Sequence, residues 1–176
     1  MALLRGINVG GHKMVAMADL RALTTNLGFE DVQTVLQSGN LVFSGATRTT
    51  ASLEALLEKE TAKRLGLDTS FMIRTAAEWT KIVAGNPLRD EAKNDPGRLA
   101  VIFFKDKPAK KNLDALRGCI SGREYFEASG RELYAVYPDG QGNSKFTLSL
   151  IDRKLETRGT GRNWNTVLKL AKLVEA

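Results

Sequence analysis

The chain holds one cysteine, Cys119, and one histidine, His12. A disulfide within the chain is therefore excluded. So is a zinc site built from Cys and His, which takes three or four such ligands. The thiol poverty suits a reducing cytoplasm. No apolar run approaches the roughly 18–20 residues that a membrane helix requires. No basic segment followed by an apolar one opens the chain, so neither a signal peptide nor a membrane partner is expected. The first strand reads short, as if a few residues preceded Met1. Aromatic residues are sparse at 7%, which limits the platforms available for base stacking. Paired catalytic carboxylates are not evident, and Ser38 has no obvious base.

What is present is enough for a packed core. Of 176 residues, 43% are hydrophobic and 26% charged, which bounds the chain to one medium domain or two small ones. The net charge of +6 is uneven. Residues 1–97 carry eleven basic and eleven acidic side chains, whereas 98–176 carry fifteen basic against nine acidic. A basic second half either attracts phosphate-rich partners or is a solvated surface.

Hydrophobic spacing predicts strands at 2–7, 32–36, 41–44 and 68–74, with helices at 17–27 and 52–65. Paired glycines make 8–13 a loop, and 37–40 is a tight hairpin turn. Thr75 and Glu78 have the spacing of a capping box that starts a short helix running to 84. Residues 85–97 are rich in Gly, Pro, Asn and Asp, lack periodicity and read as a linker. The element order then repeats: strand 99–104, helix 109–117, strands 123–128 and 131–137, helix 144–155, terminal helix 162–174. The expectation is an α+β protein of two tandem ferredoxin-like (βαββα) halves with antiparallel sheets, plus a C-terminal helix. The halves are 1–84 and 98–176, joined by 85–97. In that topology the first two strands run the same way, so the loop 8–13 and the turn 37–40 share one sheet edge.

Three segments carry a resemblance: Ala2-Leu3-Leu4-Arg5-Gly6-Ile7-Asn8-Val9-Gly10-Gly11, Leu36-Gln37-Ser38-Gly39-Asn40, and Arg162-Asn163-Trp164-Asn165-Thr166. Together they resemble the bacterial family catalogued as domain of unknown function 1697. The resemblance implies two ferredoxin-like halves and no assigned activity. Ala16 stands where that pattern suggests proline, and Gly161 where it suggests threonine, which leaves Thr160 as a substitute helix cap.

The candidate ligand-binding residues are Arg5, Asn8, Gly10, Gly11, Lys13, Gln37, Ser38 and Asn40, with Asn163 and Asn165 closing the site. A Gly-rich loop between strand and helix exposes backbone N–H groups to an anion, with Arg5 or Lys13 adding charge. Its spacing matches neither a Walker loop nor a dinucleotide fingerprint, and the glycines equally let the chain turn. Arg5 alternates with Leu3 and Ile7, which places the three on one face. Asn163 and Asn165 either cap the last helix or bind at its positive end. His12 lacks a titratable neighbour at useful spacing, Cys119 reads as an inert thiol, and Asp19 suits the first turn of its helix. The best expectation is a cytoplasmic protein that binds a small anionic or phosphorylated ligand. The alternative is sequence-tolerant nucleic-acid binding through Lys105, Lys107, Lys110 and Lys111, with Arg153, Lys154, Arg158 and Arg162; Tyr134 and Tyr137 suggest stacking surfaces there but lack the preceding basic-Gly-aromatic signature. No metal site is expected. Cofactor, oligomeric state and any reaction are left open by these residues.

Overall fold

The computed structural model describes residues 1–8, 14–45 and 47–174. Mixed α and β elements build two four-stranded antiparallel sheets, with seven α-helices among the described residues. The chain divides into two compact units, Met1–Glu78 and Trp79–Ala176.

The first unit contains β1 (Ala2–Leu4), α1 (Met17–Asn26), β2 (Glu30–Val35), β3 (Asn40–Ser44), α2 (Thr50–Leu65) and β4 (Phe71–Ile73). Its strands lie in the order β2-β3-β1-β4, and every pairing is antiparallel. Ala2 and Leu4 from β1, Leu20 from α1, Leu53 and Leu57 from α2, and Phe71 and Ile73 from β4 form one buried cluster. The period-2 pattern of the strands and the 3–4 residue spacing of the helices meet in that layer. Thr49 caps α2 through its hydroxyl, which accepts from the Ser52 N–H at 3.2 Å. The αL residue Gly66 ends it.

The central strand β1 is shorter than the expected 2–7. Gly6 (φ +58°) and Asn8 (φ +54°) turn the chain out of extended geometry. The expected alternation of Leu3, Arg5 and Ile7 is lost with it, because Ile7 joins Ala2 and Leu4 in the cluster and Leu3 does not. Arg5 lies just beyond the strand, where its N–H donates to the Ser70 carbonyl and its own carbonyl accepts from the Thr69 hydroxyl.

The capping box at the start of α3 (Ala76–Ala84) is formed. Thr75 N–H donates to Glu78 Oε2 at 2.8 Å, and Glu78 N–H donates to Thr75 Oγ1 at 3.2 Å. The division between the units falls within this helix. The stretch 85–97, expected as a linker, carries α4 (Arg89–Asn94) and the start of a 3-10 turn, Pro96–Arg98.

The second unit continues with β5 (Leu99–Phe104), α5 (Lys110–Arg117), β6 (Tyr125–Ser129), β7 (Glu132–Val136), α6 (Leu148–Leu155), β8 (Gly159–Asn163) and α7 (Trp164–Val174), in the sheet order β6-β7-β5-β8. Both sheet faces are covered. Ala100, Ile102 and Phe104 pack with Leu116 and Ile151 from α5 and α6. On the other face the Phe103 ring stacks on Trp79, centroids 5.2 Å apart, and Trp79 Nε1 donates to the Val167 carbonyl of α7. A strand buried on both sides needs apolar residues throughout, and all six residues of β5 are buried.

Two expectations are corrected here. Residues 144–147 precede α6 and are not helical, because the Ser144 hydroxyl accepts from the Phe146 N–H and Thr147 caps the helix through Leu150 N–H. Arg162 and Asn163 belong to β8, and α7 starts only at Trp164. The Gly159-Thr160-Gly161 sequence hides that strand from pattern reading, since it shows no apolar alternation. It pairs because glycine allows close approach: a Cβ on Gly159 would stand 2.7 Å from both Ile102 Cγ2 and Phe104 Cε1.

Candidate functional site

In the first unit, the connection after β1 and the β2–β3 turn meet at one edge. Leu4 N–H donates to the Gly39 carbonyl at 2.8 Å. Asn8 sews the two segments together. Its Nδ2 donates to the Gln37 carbonyl at 2.9 Å and to the Val15 carbonyl at 3.1 Å, while its Oδ1 accepts from Val15 N–H at 2.9 Å. One side-chain amide thus spans the hairpin tip and both ends of the Gly-containing loop. The αL conformation that Asn8 adopts is one that Asn tolerates better than most residues.

The hairpin tip is equally specified. Asn40 is fully buried, and its Nδ2 donates to the Val35 carbonyl at 2.7 Å and to Ser38 Oγ at 3.1 Å. Gly39 has φ +73°, and a Cβ there would stand 2.6 Å from Ile7 Cδ1 and 2.8 Å from Leu4 Cβ. Leu36, φ +60°, is half exposed. Of four non-glycine residues with positive φ among the described residues, Asn8 and Leu36 fall at this edge. Such conformations cost on the order of 1–3 kcal/mol each and persist where surrounding structure enforces them.

The predicted residues therefore divide. Asn8, Gln37, Ser38 and Asn40 come together with Arg5 next to them in the chain after Leu4. Asn8 and Asn40 spend their amides on backbone and turn groups, whereas Gln37 is exposed and Arg5 and Ser38 are half-buried. Gly10, Gly11, His12 and Lys13 lie outside the described residues. Asn163 and Asn165 sit in the second unit. There Asn163 Nδ2 donates to the Gly97 carbonyl at 2.9 Å, and its Oδ1 caps α7 by accepting from Asn165 N–H at 3.0 Å. Thr160, the substitute cap suggested by the sequence, is a buried strand residue instead.

Of the residues expected on a basic surface, Arg162 is buried, and desolvation lowers its guanidinium from the usual 12.5 to about 10. Its Nη1 donates to Thr160 Oγ1 and to the Gly161 carbonyl. Tyr134 and Tyr137 are also buried, and Tyr134 Oη donates to the Ile82 carbonyl, so neither presents a face for stacking. Cys119 Sγ donates to the Ala115 carbonyl at the end of α5. No group of His, Cys, Asp or Glu able to hold a metal ion occurs among the described residues. No helix among them is long and apolar enough to cross a membrane.

A family model described as protein of unknown function (DUF1697) matches residues 1–134. The chain belongs to this family. The matched span includes the whole edge built by Asn8, Gln37 and Asn40. The fold is similar to that of the conserved bacterial protein SP0830 from Streptococcus pneumoniae, with TM-score 0.78 and 24% sequence identity over 98% of this chain and 96% of that one. At that identity the likeness speaks for the fold. No curated protein matches the chain.

The sequence did not announce the positive φ of Leu36 or the part of Val15 in this edge. A leucine at positive φ has no sequence signature, and Val15 contributes only its backbone. It also missed α4, since 85–97 read as a linker.

Proposed function

We propose that this protein binds a small anionic or phosphorylated ligand at the edge formed by the β1–α1 connection and the β2–β3 turn. The observation that carries the reading is the Asn8 amide, which joins the loop ends to the hairpin tip. Preorganisation of this kind reduces the ordering cost of binding. In this reading Asn8 and Asn40 hold the frame. Arg5, Gln37 and Ser38 supply ligand contacts, joined by the Gly10 and Gly11 amides and by Lys13. Arg5 provides a planar guanidinium suited to bidentate capture of phosphate or carboxylate.

Each unit is read as a ferredoxin-like fold, supported by the strand orders β2-β3-β1-β4 and β6-β7-β5-β8. A cytoplasmic setting is supported by the lone cysteine.

The test is a thermal-shift titration with inorganic pyrophosphate, AMP and a short single-stranded oligonucleotide. A ligand at about 100 times its dissociation constant adds roughly 2.7 kcal/mol, on the order of 5–10 °C for this chain length. Arg5→Ala should abolish the shift while the protein still melts cooperatively. A shift from pyrophosphate or AMP that survives Arg5→Ala would overturn the assignment. A shift from the oligonucleotide alone, lost on adding salt, would transfer the function to the basic second half.

A further inference from the structure

Among the described residues three large apolar side chains are exposed: Met14 at 69%, Leu36 at 50% and Tyr125 at 41%. Tyr125 has a polar reason to stand at the surface, since its Oη donates to Glu91 Oε1 at 2.7 Å. Met14 and Leu36 carry no such group, and both fall at the first-unit edge. Met14 precedes Val15 and Leu36 precedes Gln37, and the carbonyls of Val15 and Gln37 accept from the same Asn8 Nδ2. One amide therefore brings together the two chain segments that carry these side chains.

A single exposed apolar residue is ordinary on a protein surface. Leu36 is unusual in a second respect. It follows the buried Val35 but leaves the strand at φ +60°, where the Cβ of an L-residue is crowded and which Gly or Asn adopts at lower cost. Burial does little to offset that cost, since half of the residue stays in water. The same edge uses asparagine for its other positive φ outside glycine, at Asn8, and the second-unit hairpin uses Gly130 at φ +61°. The turn alone therefore does not account for a leucine. No large apolar residue of 105–109 or 130–131 is exposed in the second unit.

Size decides the occupant. A protein partner covers about 20–30 residues a side. Here the apolar surface comes from two side chains beside the polar Gln37 and Ser38. That is the scale of one ring or short chain on a small ligand, whose body rests on apolar groups while a few polar ones orient it. Inorganic phosphate or pyrophosphate would leave both side chains in water and gain nothing from them.

We propose that the ligand of this edge is an organic phosphate whose apolar body, a ring or short chain, lies on Leu36 and Met14 while its anionic head is taken at Arg5. This rests on the anion reading of the same edge and narrows it from any small anion to an amphipathic one.

Amide-resolved NMR titrations of the intact chain with phenyl phosphate and inorganic phosphate test it. Both should shift 5–8. Phenyl phosphate alone should also shift 14 and 36, with an affinity about tenfold higher or more, as partial burial of one apolar side chain provides. Leu36→Asn relieves the backbone at positive φ and removes the apolar chain. It should preserve or raise the melting temperature, cut the phenyl phosphate affinity about tenfold and leave inorganic phosphate unaffected. Met14→Gln keeps the length of the side chain and should likewise weaken phenyl phosphate alone. Equal affinity of the two compounds, with both shifting 5–8, would overturn the apolar contact and leave the anion reading standing. Binding of neither at this edge would overturn both. Phenyl phosphate affinity unchanged in Leu36→Asn, with a lowered melting temperature, would assign Leu36 to packing and overturn the proposal. Shifts at 14 and 36 that follow protein concentration alone would give the patch to a second copy of the chain and overturn it too.

Discussion

The two units share a strand order and differ at their corners. In the second unit the chain leaves the central strand β5 and reaches α5 through 105–109, and the β6–β7 hairpin turns through 130–131 alone. Gly130, at φ +61°, is the glycine that such a two-residue turn requires. In the first unit the corresponding connection runs through 5–16, and the hairpin turns through 36–39. There two non-glycine residues adopt positive φ, the buried Asn40 at the start of β3 bonds back across the turn, and a second asparagine ties turn to loop. Both corners satisfy the same topology, so topology does not demand the longer, strained version. The extra length and positive φ beyond what connection requires are what motivate the binding proposed at this edge. In the second unit Trp79 and α7 close the sheet face opposite α5 and α6.

The largest expected effect lies in that covering. Trp79→Ala removes a fully buried ring stacked on Phe103 and the hydrogen bond to Val167, and should cost about 3–5 kcal/mol by denaturant unfolding. A smaller loss than any corner substitution produces would mean that the second face is not a core.

The two hairpin glycines come next. Gly39→Ala meets both a positive φ and side chains under 3 Å away, and should cost about 2–4 kcal/mol. Gly130→Ala meets a positive φ, but its nearest contact is Glu132 Oε2 at 3.4 Å, so its cost should stay near 1–2 kcal/mol. Equal losses would erase the distinction drawn between the corners.

Asn8→Gly keeps the conformational freedom for αL and removes the three hydrogen bonds of the clamp. It should lower stability by about 1–2 kcal/mol, since each lost bond at a partly exposed site is worth about 1 kcal/mol or less. It should also weaken ligand binding at the first-unit edge more than Gly130→Ala does. Smallest of all is Arg123→Ala, which breaks the fully exposed ion pair with Asp139 and should leave the melting temperature unchanged within error.

Much of the fold was legible because period and punctuation agreed. Residues 99–104 read as a continuous apolar strand, Thr75 and Glu78 as a capping box, and Ser129-Gly130 as a turn, each a local signal with its own physical cause. The misses have physical causes too. β8 is specified by what its glycines allow neighbouring side chains to do, not by any pattern of its own. β1 was drawn too long because Gly6 and Asn8 sit inside an apparently alternating run. At the candidate site, the meeting of loop and turn was readable from strand direction. That Asn8 and Asn40 would act on the backbone was not readable, since an amide in a polar motif looks the same whether it faces a ligand or a carbonyl.

The most direct test of the central claim is a pair of amide-resolved NMR titrations with inorganic pyrophosphate and AMP. The account predicts shifts concentrated at 5–8 and 36–40, with the matching second-unit corners, 105–109 and 130–131, unmoved. Shifts confined to the second unit, or none at saturating ligand, would contradict it and reduce the first-unit corner to a turn.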